Sequence, residues 1–86
     1  ISERAIVRLV RLIQYYRHRD GTHTETEGDS LNIKLPYYQI ARSIGITYEE
    51  CVRLFHKLKE ILIYKRGGKI IVKDWDKLEL VGKATK

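Results

Sequence analysis

The sequence predicts a small α+β fold of the winged helix-turn-helix type, a three-helix core closed by a β-hairpin wing. Three observations carry that expectation. Residues 36–45 and 47–60 each show apolar spacing at helical period, with a single break at Gly45 between them. Thr47-Tyr48-Glu49-Glu50 is a capping box that restarts a helix two residues after that glycine. Gly67-Gly68 then separates two short runs rich in β-forming residues, the pattern of a two-residue hairpin turn that needs positive φ.

Taken in order, residues 2–17 place Ile6, Leu9, Val10 and Ile13 on one stripe, which predicts a first helix of about four turns. Arg4, Arg8, Arg11 and Tyr15 share another face, either a solvated cationic surface or a contact for a nucleic acid, an acidic partner or another domain. Residues 18–30, HRDGTHTETEGDS, are polar, bounded by Gly21 and Gly28 and without periodicity, so a mobile loop is expected there. His18 and His23 lie near acidic residues, but no ligand pair has zinc-finger spacing, and no metal is expected. Asn32–Leu35 alternates polar and apolar, as a short half-buried strand does.

Pro36 suits the start of the second helix, whose Ile40, Ala41 and Ile44 face inward, and Gly45 suits its left-handed end. In the third helix Cys51, Leu54, Phe55, Leu58 and Leu62 cluster on one side, while Tyr48, Glu49, Val52, Arg53, His56 and Glu60 fill the opposite arc. The first set is core, and it makes Cys51 a small buried residue rather than a redox sensor. The second set is presented outward, with His56 either touching phosphate or solvated. Ile63–Arg66 and Lys69–Val72 form the arms of the wing, whose tip carries Lys65, Arg66 and Lys69 with nothing acidic beside them. Asp74–Leu78 begins a short final helix with Trp75 and Leu78 inward. Trp75 as a stacking platform is disfavoured by its two Asp neighbours. The last residues, 82–86, are expected to fray.

Length and composition bound the rest. Eighty-six residues with 43% hydrophobic content support one core, so residues 1–86 are expected to form one domain with little room for an enclosed catalytic pocket. No run nears the roughly 18 apolar residues of a membrane span, and no signal or transit pattern is visible. The single Cys51 has no internal disulfide partner, and a cytoplasmic protein is expected. The sequence contains no Met, as expected of a piece of a longer protein or of a processed or engineered start. Net charge is +6, and residues 34–73 account for all of it, with nine Lys or Arg against three Glu. An excess confined to the predicted helix-turn-helix and wing is the footprint of a polyanion binder.

These residues resemble the C-terminal DNA-binding domain of the cyclic-AMP receptor protein and fumarate-nitrate regulator (CRP/FNR) family of bacterial transcription factors. Residues 2–17 resemble the helix that follows the family's dimerisation helix, Ile33-Lys34-Leu35 its strand, Gln39-Ile40-Ala41 through Gly45 its first motif helix, and Gly68–Val72 its wing. The family's recognition motif, Ser/Thr-Arg-Glu-Thr-Val-x-Arg, appears here as Thr47-Tyr48-Glu49-Glu50-Cys51-Val52-Arg53. The resemblance implies sequence-specific binding of double-stranded DNA, with residues 47–60 in the major groove and the wing, 63–72, on phosphates.

Glu49 and Arg53 match the family's two base-reading residues. Their chemistry agrees, because Glu accepts from cytosine N4 and Arg donates two bonds to guanine O6 and N7. An ordinary ion pair four residues apart on a helix surface is the competing reading. Tyr48 and Val52 depart from the family pattern and join the base-reading set, while Thr47, His56, Lys57, Lys65, Arg66, Lys69 and Tyr37 are the phosphate candidates. Pro36-Tyr37 replaces a Thr-polar start, and Leu62 stands where Gly is common. The resemblance also implies an N-terminal effector domain, a homodimer on a near-palindromic operator with the fragment itself monomeric, and RNA polymerase as a candidate partner. No cofactor is expected in this domain. The competing function is a winged helix used for protein–protein contact, which would favour a more apolar outward face. An enzyme would need a convergent nucleophile, base and oxyanion site, and no such set is present in the sequence.

Overall fold

The computed structural model describes residues 2–84, and the side chains of residues 5–83. The chain runs α1 (Ser2–Asp20), β1 (Thr22–Glu25), β2 (Gly28–Leu31), α2 (Tyr37–Ile44), α3 (Tyr48–Lys57), β3 (Leu62–Lys65), β4 (Lys69–Val72) and α4 (Trp75–Ala84). The strands form one antiparallel sheet in the order β1-β2-β4-β3. The result is the small α+β winged helix-turn-helix fold, with four helices rather than three and a sheet larger than the wing alone.

Helix α1 buries Ala5, Ile6, Leu9, Val10 and Ile13, the stripe expected from spacing, and continues to Asp20, three residues past the expected end. Ile40, Ala41 and Ile44 of α2 meet Cys51, Leu54 and Phe55 of α3 in the same core. Leu62, Ile70, Val72 and Leu78 close it from the sheet and α4. Burying an aliphatic side chain of this size contributes about 1.5–3 kcal/mol, so this contiguous cluster is what holds the short elements in place.

Five expectations are corrected. Residues 18–30 are not a loop: α1 runs to Asp20, and Thr22–Glu25 pairs with Gly28–Leu31 as a hairpin. β1 lies at the edge of the sheet, where His23 and Thr24 face solvent, so it forms without any apolar alternation. Asn32–Leu35 is not a strand. Residues 28–31 pair with β4 instead, through Asp29↔Val72 and Ser30↔Ile71, while Leu35 is buried as a plug.

The wing turn holds three residues, Arg66-Gly67-Gly68, between the paired Lys65 and Lys69. Its geometry follows from tertiary packing, because the Gly68 carbonyl accepts a 2.8 Å bond from the Leu35 amide. A Cβ on Gly68 would stand 2.7 Å from the Leu35 carbonyl carbon and the Pro36 nitrogen, and φ there is +89°, so this position requires glycine. Finally, α3 stops at Lys57, and Leu62 reaches the core from β3 rather than from the helix. At the other end α4 stays helical through Ala84, so of the expected fraying only Thr85 and Lys86 fall outside the described residues.

Candidate nucleic-acid interface

The helix-turn-helix is built by local signals that the structure bears out. Gly45 takes φ +77°, and the amides of Gly45 and Ile46 both donate to the Ala41 carbonyl, at 2.8 and 3.0 Å. The Thr47 hydroxyl accepts from the Glu50 amide at 3.1 Å, and the Glu50 carboxylate accepts from the Thr47 amide at 2.9 Å. Those bonds, the backbone one foremost, hold the Glu50 carboxyl below the usual carboxylate range. One further bond was not legible locally: Arg8 Nε of α1 donates to the Ile44 carbonyl at 2.7 Å, satisfying the C-terminal end of α2. Arg8 is thus a structural tie, not a free member of the cationic face.

On α3 the predicted division of faces holds. Cys51 is fully buried, which pushes its thiol up to about 11, while Glu49, Arg53, His56 and Lys57 are exposed and Val52 is half-buried. Among the described residues neither Glu49 nor Arg53 forms an ion pair, so the two side chains stand one turn apart on the outer face with their polar ends available. Acidic Glu49 and Glu50 in the first turn, with His56 and Lys57 in the last, also complement the helix dipole.

Tyr48 is exposed, yet its ring is anchored. It packs edge-on against Tyr37 at 5.8 Å between ring centres, and Tyr37 in turn stacks on Tyr64 of the wing at 3.7 Å and 14°. Phe55 contacts both Tyr37 and Tyr64, at 5.4 and 5.7 Å. The Tyr64 hydroxyl accepts from the Tyr37 amide at 3.3 Å, and burial raises the Tyr37 phenol above its ordinary value. Tyr37, a phosphate candidate, therefore has its ring committed to packing between α2, α3 and β3. Thr47, another, has its hydroxyl committed to the cap.

The wing differs from expectation in one respect. Lys65 Nζ lies 2.6 Å from Glu27 Oε1, and Lys69 Nζ lies 2.7 Å from Glu25 Oε2. The expectation that nothing acidic stands beside the tip is overturned, because the β1–β2 hairpin carries its carboxylates there. Glu25 is held below the usual carboxylate range by Lys69 and then by His23. His23 Nε2 is 2.7 Å from Glu25, and its Nδ1 is 2.6 Å from Asn32 Oδ1, an orientation set by Asn32 Nδ2 donating to the Asp20 carbonyl. Two acceptors around one imidazole favour its charged form and raise His23, Asn32 first and Glu25 second. Among the described residues no three His, Cys, Asp or Glu converge as a metal site. Arg66, at the tip, is exposed and forms no ion pair among the described residues. Trp75 is occupied on α4: its indole donates to Asp29 at 2.9 Å, and the Arg17 guanidinium lies 4.0 Å above its ring.

Residues 4–81 match the family described as the Crp-like helix-turn-helix domain. Among solved structures, the CO-dependent transcription factor CooA from Carboxydothermus hydrogenoformans, imidazole-bound, aligns with a TM-score of 0.76 at 24% identity over 91% of this chain and 36% of that one. Oxidised CprK in complex with o-chlorophenolacetic acid aligns at 0.74 and 21% identity, over 92% and 33%. FixK2 from Bradyrhizobium japonicum aligns at 0.66 and 18%, over 90% and 37%. At these identities the likeness is one of fold, and the chain spans about a third of the length of those proteins. No curated protein matches the chain.

Proposed function

Since this chain belongs to the family of Crp-like helix-turn-helix domains, DNA-binding domains of transcription regulators, we propose that it binds double-stranded DNA in a sequence-specific manner through α3. In this reading α3 enters the major groove, Glu49 accepts from a cytosine amino group, and Arg53 donates both bonds to a guanine. Tyr48 and Val52 add apolar contact beside them. His56, Lys57 and Arg66 reach phosphates on either side, with Lys65 and Lys69 behind them. The observation that supports this most is the pair Glu49 and Arg53, exposed, unpaired among the described residues and one turn apart on a helix whose other face is locked in the core.

The domain serves, in the same proposal, as the DNA-binding part of a longer regulator with an N-terminal effector domain. Two copies in a homodimer would read half-sites about 34–36 Å apart on a near-palindromic operator. Dimerisation and contact with RNA polymerase belong to that larger assembly. Among the described residues no helix is long and apolar enough to cross a membrane, and a cytoplasmic setting follows from the regulatory role.

The test is fluorescence anisotropy with a pool-selected and a scrambled duplex across salt concentrations. Arg53→Ala is expected to erase about 1–3 kcal/mol of discrimination at one base pair. Arg66→Ala is expected to weaken all duplexes alike and to lower the salt slope by about one. Identical behaviour of the two variants across operator variants would refute this division of labour. Absent or salt-insensitive binding of the wild type would refute the DNA-binding proposal and bring a protein–protein role forward.

A further inference from the structure

The two hairpins of the sheet carry opposite charge, and they meet at the wing. Glu27 and Glu25 occupy Lys65 and Lys69 at 2.6 and 2.7 Å, so the donors that would meet a phosphate already hold carboxylate oxygens. These pairs are not buried: the lysine side chains are 44% and 35% exposed and those of Glu27 and Glu25 are 43% and 23% exposed. Lys65–Glu27 is exposed and Lys69–Glu25 half-buried, and ion pairs in contact with solvent in this way are weak and salt-sensitive, which makes them displaceable by a denser anion. Glu25 has a second partner in His23, so it does not need Lys69 to remain in place.

We propose that the β1–β2 hairpin is a built-in competitor for the phosphate backbone, in which Glu27 and Glu25 hold Lys65 and Lys69 until phosphates displace them. Arg66 is then the wing's first-contact cation, and the two lysines engage only on a surface of sufficient negative charge. The inference deepens the DNA-binding proposal and rests on it for the identity of the polyanion, but the competition itself concerns phosphate and is measurable without a DNA sequence.

The experiment compares the wild type with Glu25→Gln/Glu27→Gln, in titrations with inorganic polyphosphate, a random duplex and a selected duplex across salt concentrations. A control, Asp76→Asn/Glu79→Gln on α4, makes the same charge change away from the wing. The hairpin variant is expected to bind polyphosphate and both duplexes about two- to tenfold tighter at low salt, as two such pairs predict. That gain should fall as salt screens it, with the selected-to-random ratio unchanged and the control shifting affinity by less than about twofold. Equal gains in hairpin variant and control, or no gain on polyphosphate, would overturn the proposal. Tighter polyphosphate binding with no duplex preference in any protein would support the competitor while removing base reading by α3. Should the double variant unfold early in a thermal melt, Glu27→Ala replaces it. Glu27 sits on the turn, where its carboxylate accepts from Lys65 Nζ, and a gain of about two- to threefold is expected. No gain there would overturn the proposal equally.

Discussion

Replacing Gly68 with Ala, beside the same change at Gly67, isolates what the close approach of the wing to the start of α2 is worth. Both glycines have φ +89°, so both variants carry the left-handed strain of a Cβ, roughly 1–2 kcal/mol. At Gly67 nothing lies within 4 Å of the new carbon. At Gly68 the new carbon would lie 2.7 Å from the Leu35 carbonyl carbon, 2.7 Å from the Pro36 nitrogen and 2.8 Å from the Leu35 nitrogen, all backbone atoms with no rotamer to yield. The turn must move away, and the 2.8 Å bond from the Leu35 amide to the Gly68 carbonyl stretches with it, adding about 1 kcal/mol. A shifted wing also loosens packing around Leu35, so the total for Gly68→Ala is about 3–4 kcal/mol against about 1–2 for Gly67→Ala. Urea unfolding followed by Trp75 fluorescence reads the difference, at a slope of about 1 kcal/mol per molar for a domain this small. Midpoints should fall by about 1–2 M for Gly67→Ala and about 3–4 M for Gly68→Ala. If the two midpoints agreed, the contact would be compliant and the wing would not be anchored through Leu35–Pro36.

Other outcomes follow from single groups. Arg8→Ala removes the bond to the Ile44 carbonyl and should cost about 1.5 kcal/mol in urea unfolding, with DNA affinity unchanged once the domain is folded. A loss too small to measure would mean that water caps α2 as well as the guanidinium does. Thr47→Ala should cost about 1 kcal/mol by breaking the capping box. Glu50, held low by the Thr47 amide, contributes stability that is present above the ordinary carboxylate value of 4.5 and disappears as pH falls through its depressed folded value. The acid limb of the urea midpoint against pH should therefore flatten in Glu50→Gln. Cys51, buried and raised to about 11 from 9.0, is expected to react with a disulfide reagent at pH 8 only as fast as the domain opens. Its contribution to stability is complete below pH 9.0 and disappears as pH rises through about 11. Rapid labelling of the native state would contradict that burial.

The parts of the fold that could be read in the sequence are those specified by neighbours in the chain. Gly45, the Thr47–Glu50 box and the spacing of Cys51, Leu54 and Phe55 each act within one or two turns, so the helix-turn-helix and its outward face were legible. The β1–β2 hairpin was not, because an edge strand such as THTE meets water on its outer side and needs no apolar alternation. Its signal was the β-branched Thr22 and Thr24 around His23, with Glu27-Gly28 at the turn. The state of the wing lysines was illegible for a different reason: Glu27 and Lys65 are 38 residues apart, and only the sheet order brings them together. Arg8 and the Ile44 carbonyl, 36 residues apart, belong to the same class. The wing turn is one residue longer than Gly67-Gly68 suggests because the geometry around Gly68 answers to Leu35, which no local turn rule contains.

The stacked Tyr37 and Tyr64, with Phe55 and Tyr48 against them, join the start of α2, the face of α3 and the first arm of the wing into one aromatic joint. Three elements clasped this way would turn as a single caliper. In the proposed complex with a DNA duplex, the span between α3 and the wing would then be constant, and the duplex would have to supply the adjustment. Sequences whose groove width already fits that span would bind without deformation, and stiffer or narrower ones would meet an elastic cost at base pairs the protein never touches.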